Sequence, residues 1–154
     1  MRIVRDIINS KPETTNIISP DALVIDALQM LSTVNLSYLI VMDKDEYKGV
    51  FCERDYSRNV ILKGRSSVST KVKEVMTVDL PAVGLTDSVE QCMILMNSYR
   101  TRYLLAYEND RFTGVITIHD LLRQVIASKE DVFDHSIAEK LIDHEEGGKI
   151  YWLI

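Results

Sequence analysis

Thr117-Ile118-His119-Asp120 sets a hydroxyl and a carboxylate three residues apart. That spacing is a capping box, in which the two side chains satisfy the free N–H groups at the start of a helix. The same frame occurs earlier as Cys52-Glu53-Arg54-Asp55, with a thiol in place of the hydroxyl. Arginines lie near both, Arg54 and Arg58 beside the first and Arg100 and Arg102 ahead of the second. Their planar donors suit an anionic small molecule better than lysine does, although Arg54, Arg100 and Arg102 can also be solvated or pair with Glu53, Glu90 or Asp55. Other chemistries find little support. His119, His135 and His144 have no metal-ligand spacing with cysteines or carboxylates. Cys52 and Cys92 form no C-x-x-C pair and read as reduced, buried small hydrophobes. No nucleophile elbow, Walker-type loop or dinucleotide fingerprint occurs, so the sequence predicts a protein that is not an enzyme.

The two frames belong to a longer repeat. Gly49-Val50 and Asp55 recur as Gly114-Val115 and Asp120 at an offset of 65 residues, and the match runs backwards without a gap. Val24 meets Val89, Ala27 meets Cys92, Leu31 meets Met96, Tyr38-Leu39 meets Tyr103-Leu104, and Asp45 meets Asp110. Two copies of one supersecondary unit explain this. In each copy apolar residues first fall at helical spacing, Val24, Ala27, Leu28 and Leu31 or Val89, Cys92, Met93 and Met96. Asp21 and Thr86 stand ahead of these helices as expected caps. Short apolar runs at Tyr38–Met42 and Tyr103–Tyr107 then read as buried strands, followed by polar turns and second strands at Gly49–Cys52 and Gly114–Thr117. A further helix follows from about Asp55 and from about Asp120. Upstream, Val4–Ile8 resembles Val72–Met76 and predicts a lead-in helix before each copy. The expected organisation is a first repeat over residues 1–64, a polar linker over 65–71, a second repeat over 72–127, and a C-terminal helix with an apolar tail over 128–154. The helix follows from Phe133, Ile137 and Leu141, and the tail, Ile150 to Ile154, is expected to dock on the body or on a partner subunit.

Composition limits the function classes. The 154 residues are 46% hydrophobic and 27% charged, enough for one ordinary core or two very small ones. A net charge of −5 argues against broad nucleic-acid binding, which needs clustered positive charge. No apolar run is long enough to cross a bilayer, and Met1–Asp6 opens into mixed charge, so a cytoplasmic protein without a membrane partner is expected.

Paired Gly-Val-x-x-x-x-Asp strand-to-helix units at near-equal spacing resemble tandem CBS domains, the arrangement called a Bateman module. The stretch Gly49 to Arg58, followed by Lys63-Gly64-Arg65-Ser66-Ser67 and Lys73-Glu74-Val75-Met76-Thr77, is similar to stand-alone two-CBS proteins. The resemblance covers roughly Arg2 to Ala127. It implies an α+β fold of two β-α-β-β-α repeats packed about a pseudo-twofold axis. It also implies a regulatory module that binds an adenosine-containing ligand, such as AMP, ATP, NAD(H) or S-adenosylmethionine, in the clefts between repeats. By that resemblance Thr117 and Asp120, with His119 between them, bind phosphate and ribose hydroxyls, and Cys52 and Asp55 occupy the matching places. Cys52 stands where the family has Ser or Thr. Adenine is expected between Ile18 and Tyr38 at one site and Val83 and Tyr103 at the other, and by sequence Arg54 and Arg58 in one copy and Arg100 and Arg102 in the other are the nearest candidates for the phosphates. Tyr38 stands where the family commonly has a small residue. The Thr117–Asp120 site is therefore the expected nucleotide site. Signalling is expected through homodimerisation and an unidentified effector protein. The rival reading is a ligand-free oligomerising adaptor, and a small nucleotide-using enzyme is a second.

Overall fold

The computed structural model describes residues 2–34, 37–127 and 137. Each copy of the repeat folds as β-α-β-β-α, the α+β class expected. After a lead-in helix α1 (Val4–Ser10), the first copy runs β1 (Ile17–Ile18), α2 (Val24–Val34), β2 (Tyr38–Asp43), β3 (Glu46–Cys52) and α3 (Glu53–Asn59). The second runs β4 (Ala82–Gly84), α4 (Val89–Tyr99), β5 (Tyr103–Glu108), β6 (Arg111–Thr117) and α5 (Ile118–Ala127). In each three-stranded sheet the middle strand pairs parallel with the short first strand and antiparallel with the third. Even the irregularities repeat: the register shifts between Val41 and Met42 and again between Ala106 and Tyr107. In the second hairpin Asn109 and Asp110 both take positive φ, the conformation of a two-residue turn whose twist matches that of its strands.

Two compact units result. Residues 12–79 form one, and the segment through Lys11 joins residues from Leu80 onward in the other. The first has a core of Val24, Ala27, Leu39, Val41 and Phe51 with Val72 and Val75. The second packs Val89, Cys92, Met93, Met96, Leu104, Ile116 and Leu121 with Val4 and Ile7 of α1. Each lead-in segment thus packs on the copy it does not precede in sequence: α1 covers the second sheet, and Val72–Val75 covers the first. The same second core takes in Ile137, which is helical; the rest of the expected C-terminal helix and the apolar tail lie outside the described residues.

Three local expectations differ from the structure. The second lead-in is a single 3-10 turn, Val72–Glu74, because the chain is then drawn extended across β3, where Val50 and Thr77 exchange both backbone hydrogen bonds at 2.9 Å. Helix α4 is capped by Ser88, whose hydroxyl accepts from the Gln91 N–H at 3.1 Å, and not by Thr86. Asp21 lies three residues before α2 and pairs with Lys73 at 3.0 Å and Lys71 at 3.7 Å. None of the described helices is long and apolar enough to cross a membrane.

Candidate functional site

Strand β6 ends at Thr117 and α5 begins at the next residue, so Thr117 and Asp120 meet across a tight strand-to-helix turn. The Thr117 N–H donates to Asp120 Oδ2 at 2.9 Å, and the Asp120 N–H donates to Thr117 Oγ1 at 3.2 Å. This is the reciprocal capping box that the spacing announced. Two cations complete the surroundings of the carboxylate. Lys11, at the C-terminal end of α1, donates from Nζ to Asp120 Oδ2 and to the Val115 carbonyl, both at 2.8 Å. Arg123, one turn along α5, donates to Oδ1. Asp120 is only 3% exposed. Burial by itself raises the pKa of its carboxyl, but the Lys11 charge and hydrogen bond, the Thr117 N–H and the Arg123 charge together hold it below the usual carboxylate value.

The first copy builds the same turn from other groups. The Cys52 N–H donates to Asp55 Oδ2 at 2.9 Å, matching the Thr117 N–H. The second partner is neutral: the Thr77 hydroxyl donates to Asp55 Oδ1 at 2.6 Å. Asp55 is buried, and burial and then the Asp55 charge push the Cys52 thiol up from its ordinary value. A thiol in that state is a weak hydrogen-bonding group.

The sheet register brings several expected residues together. Tyr103 pairs directly with Thr117, and Tyr38 with Cys52, so in each copy an aromatic ring stands beside the turn. Both tyrosines are buried. The Arg102 guanidinium lies 5.7 Å from the Tyr103 ring centre, and the Arg102 carbonyl accepts the Ile118 N–H at 2.9 Å. His119 is exposed on the first turn of α5. Arg54 lies on the first turn of α3 beside Asp55, whereas Arg58 is exposed in its last turn. Arg100 ends α4 in a left-handed conformation, exposed.

Ile18 and Val83 are not brought to the tyrosines. Ile18 pairs with Val41 and Val83 with Ala106, and all four belong to the helix-packed cores. Side chains alternate across a strand, so Tyr38 and Tyr103 lie on the opposite faces. Ile17, paired with Ile40, and Ala82, paired with Leu105, share the tyrosine faces. Sequence reasoning also missed Lys11, Thr77 and Arg123. Arg123, three residues past Asp120 on one helix, was within reach of helical spacing. Lys11 and Thr77 had no local signal, since the fold alone carries them to carboxylates distant in sequence.

The CBS domain family matches this chain twice, at residues 4–61 and 72–127. Among curated proteins, the mitochondrial CBS domain-containing protein CBSX3 of Arabidopsis thaliana is 32% identical over 111 residues, covering 69% of this chain and 54% of that protein. The inosine-5'-monophosphate dehydrogenase of Methanocaldococcus jannaschii is 30% identical over 109 residues, covering 70% of this chain but 21% of the enzyme. This chain therefore spans about half the length of the first relative and about a fifth of the second. A solved CBS-domain protein from Burkholderia ambifaria is 33% identical, with a TM-score of 0.76 over 86% of this chain and 100% of that one.

Proposed function

Because this chain belongs to the CBS-domain family and carries the domain twice, we propose that it is a regulatory module that reversibly binds an adenine nucleotide of the AMP, ATP or NAD(H) class. CBS pairs in general are regulatory modules that bind adenosyl ligands, and stand-alone ones are typically not enzymes. The observation that carries the reading is the repeated strand-to-helix turn, with a buried carboxylate at Asp55 and at Asp120 and a tyrosine paired beside each. A carboxylate accepts hydrogen bonds from ribose hydroxyls, and the start of a helix with arginine and lysine nearby favours phosphate. The site built on Thr117 and Asp120 is the nucleotide site, since it has the hydroxyl that Cys52 lacks and two cations at its carboxylate. Binding acts through homodimer contacts or an effector protein in the cytosol.

A second reading, a ligand-free oligomerising adaptor, draws support from the first copy, where Tyr38 and Cys52 are paired and both buried. Thermal melting against AMP, ADP, ATP, NAD⁺, NADH and S-adenosylmethionine at millimolar concentration separates the two. A ligand present at 100 times its dissociation constant adds about 2.7 kcal/mol, a rise of several degrees in a chain of this size. A selective rise names the ligand class; a folded protein indifferent to all six is the adaptor.

A further inference from the structure

We infer that the tight turn following α3 docks residues 143–154 of a second copy of this chain. The inference rests on the reading that the protein acts through homodimer contacts, and it names the surfaces that meet. After α3 the first unit closes on itself: the Lys63 and Arg65 N–H groups both donate to the Val60 carbonyl, at 3.2 and 2.9 Å, and the Gly64 N–H donates to that of Ile61 at 3.2 Å. Gly64 takes the left-handed conformation that ends the turn. Val60 is buried and anchors it, while the next two residues project outward, Ile61 56% and Leu62 78% exposed. Single exposed aliphatic residues are ordinary, but two in succession on a hydrogen-bonded projection form a small apolar patch.

The patch lies within a run of positive charge. Arg58 is in the last turn of α3, Lys63 ends the turn and Arg65 follows it, all three exposed. Among the described residues none of the three pairs with a carboxylate. The Arg65 guanidinium donates to neutral groups, the carbonyls of Asn59 at 3.3 Å and Glu74 at 3.4 Å. A partner for this surface must offer carboxylates beside apolar side chains. Residues 143–154 have that chemistry in that order: Asp143, Glu145 and Glu146, then Gly147-Gly148, then the apolar run Ile150 to Ile154. Opposite charges set the register, and desolvated aliphatic and aromatic side chains supply the affinity. Ile137, the last described residue, packs on the core of the second unit, so the segment leaves from the unit that does not carry the turn. Two copies related by a twofold axis exchange the contact, each giving its turn and receiving the other's segment. One small patch is thereby used twice, and the assembly closes as a dimer.

The test is sedimentation of the full chain over about 1–100 µM, with the emission of Trp152, the single tryptophan, as a second readout. The wild type should dimerise over this range, and Trp152 emission should move to shorter wavelength as the dimer forms. Leu62→Asp should weaken the dimer at least about tenfold and Lys63→Glu about threefold or more. Adding Glu145→Lys should restore most of what Lys63→Glu loses. Arg111→Glu, at an exposed position at the start of β6, makes the same change of charge and should leave the dimer unchanged. Melting curves establish that each variant is folded. A wild-type dimer indifferent to both Leu62→Asp and Lys63→Glu removes the turn from the interface and leaves the homodimer standing. Trp152 shielding that is independent of concentration yet lost in Leu62→Asp puts the segment on its own chain and overturns the second copy. A wild type that stays monomeric at every concentration, with Trp152 exposed, overturns both readings.

Discussion

Thr77 crosses Gly49 so closely that no side chain fits between them: a Cβ at residue 49 would stand 2.8 Å from the Thr77 carbonyl oxygen and 2.9 Å from Met76 Sδ. The glycine that opens the repeated motif is therefore a packing requirement of the crossing segment, which bridges to Val50 and carries the Thr77 hydroxyl to Asp55. At Gly114 a Cβ would meet the end of the Ile8 side chain at 3.1 Å, a contact that a side chain can relieve by a small shift. Gly49→Ala is thus expected to destabilise by about 2–3 kcal/mol and Gly114→Ala by about 1 kcal/mol or less. Urea unfolding of the two variants checks the order. Equal costs would mean that the backbone at Thr77 yields as easily as a side chain.

Helix α4 supplies a second comparison. Ser88 caps it with a side-chain hydrogen bond, and its own N–H donates to Gln91 Oε1 at 2.7 Å. Ser88→Ala should cost about 1 kcal/mol, whereas Thr86→Ala should fall within about 0.5 kcal/mol of wild type. Thermal melting resolves the difference, and a larger loss at Thr86 would restore the cap to the residue that sequence spacing favoured.

The repeat made most of the fold legible. An offset of 65 residues held through helix, strand, turn and strand, because one pattern of burial had to be met twice; it reaches even to the matched register shifts in β2 and β5. The Thr117–Asp120 box was legible for the same reason that it forms, since its partners are three residues apart. What stayed hidden was either too short or too distant. Strands β1 and β4 have two and three residues, too few for alternation to reveal a face, so Ile18 and Val83 were assigned to the tyrosine side when Ile17 and Ala82 occupy it. Lys11 is 109 positions from Asp120, and nothing local says that α1 packs on the second unit instead of the repeat that follows it.

The two carboxylates should differ in what they do for a ligand. If the Asp120 site is the nucleotide site, Asp120→Ala should weaken nucleotide binding at least about tenfold, a loss of one or two charge-assisted hydrogen bonds, and Asp55→Ala by less than about threefold. Calorimetric titration at a temperature where both variants are folded makes the comparison. Equal losses, or a loss confined to Asp55, would move the site to the first copy.

Both cysteines should be chemically silent in the folded protein. Cys92 is fully buried, and burial followed by the Asp87 charge pushes its thiol up to about 12; Cys52 is raised by burial and by Asp55. Since the thiolate is the reactive form, Ellman's reagent at pH 8 should find no thiol in native protein and two after unfolding in urea. Rapid labelling of one native thiol would show that its surroundings open on the timescale of the assay.

Asp120 should also govern the acid side of the stability profile. Burial opposes its ionisation, but Lys11, the Thr117 N–H and Arg123 outweigh that and lower its pKa in the folded chain below the ordinary value of 3.8. A carboxyl whose folded pKa lies below its unfolded one contributes stability that is complete above the unfolded value and disappears as pH falls through the folded one. The wild type should therefore lose this contribution progressively on acidification below about pH 4–5, while Asp120→Asn, which has no charge to lose, follows a shallower curve. At pH 7 the variant should be less stable by about 2 kcal/mol, below the cost of breaking a fully buried pair because Lys11 retains some contact with solvent. Lys11→Met should flatten the acid limb in the same direction but less, since Arg123 and the Thr117 N–H remain. Chemical denaturation from pH 7 down to pH 2.5 measures all three, and parallel curves for wild type and Asp120→Asn would remove Asp120 from the acid response.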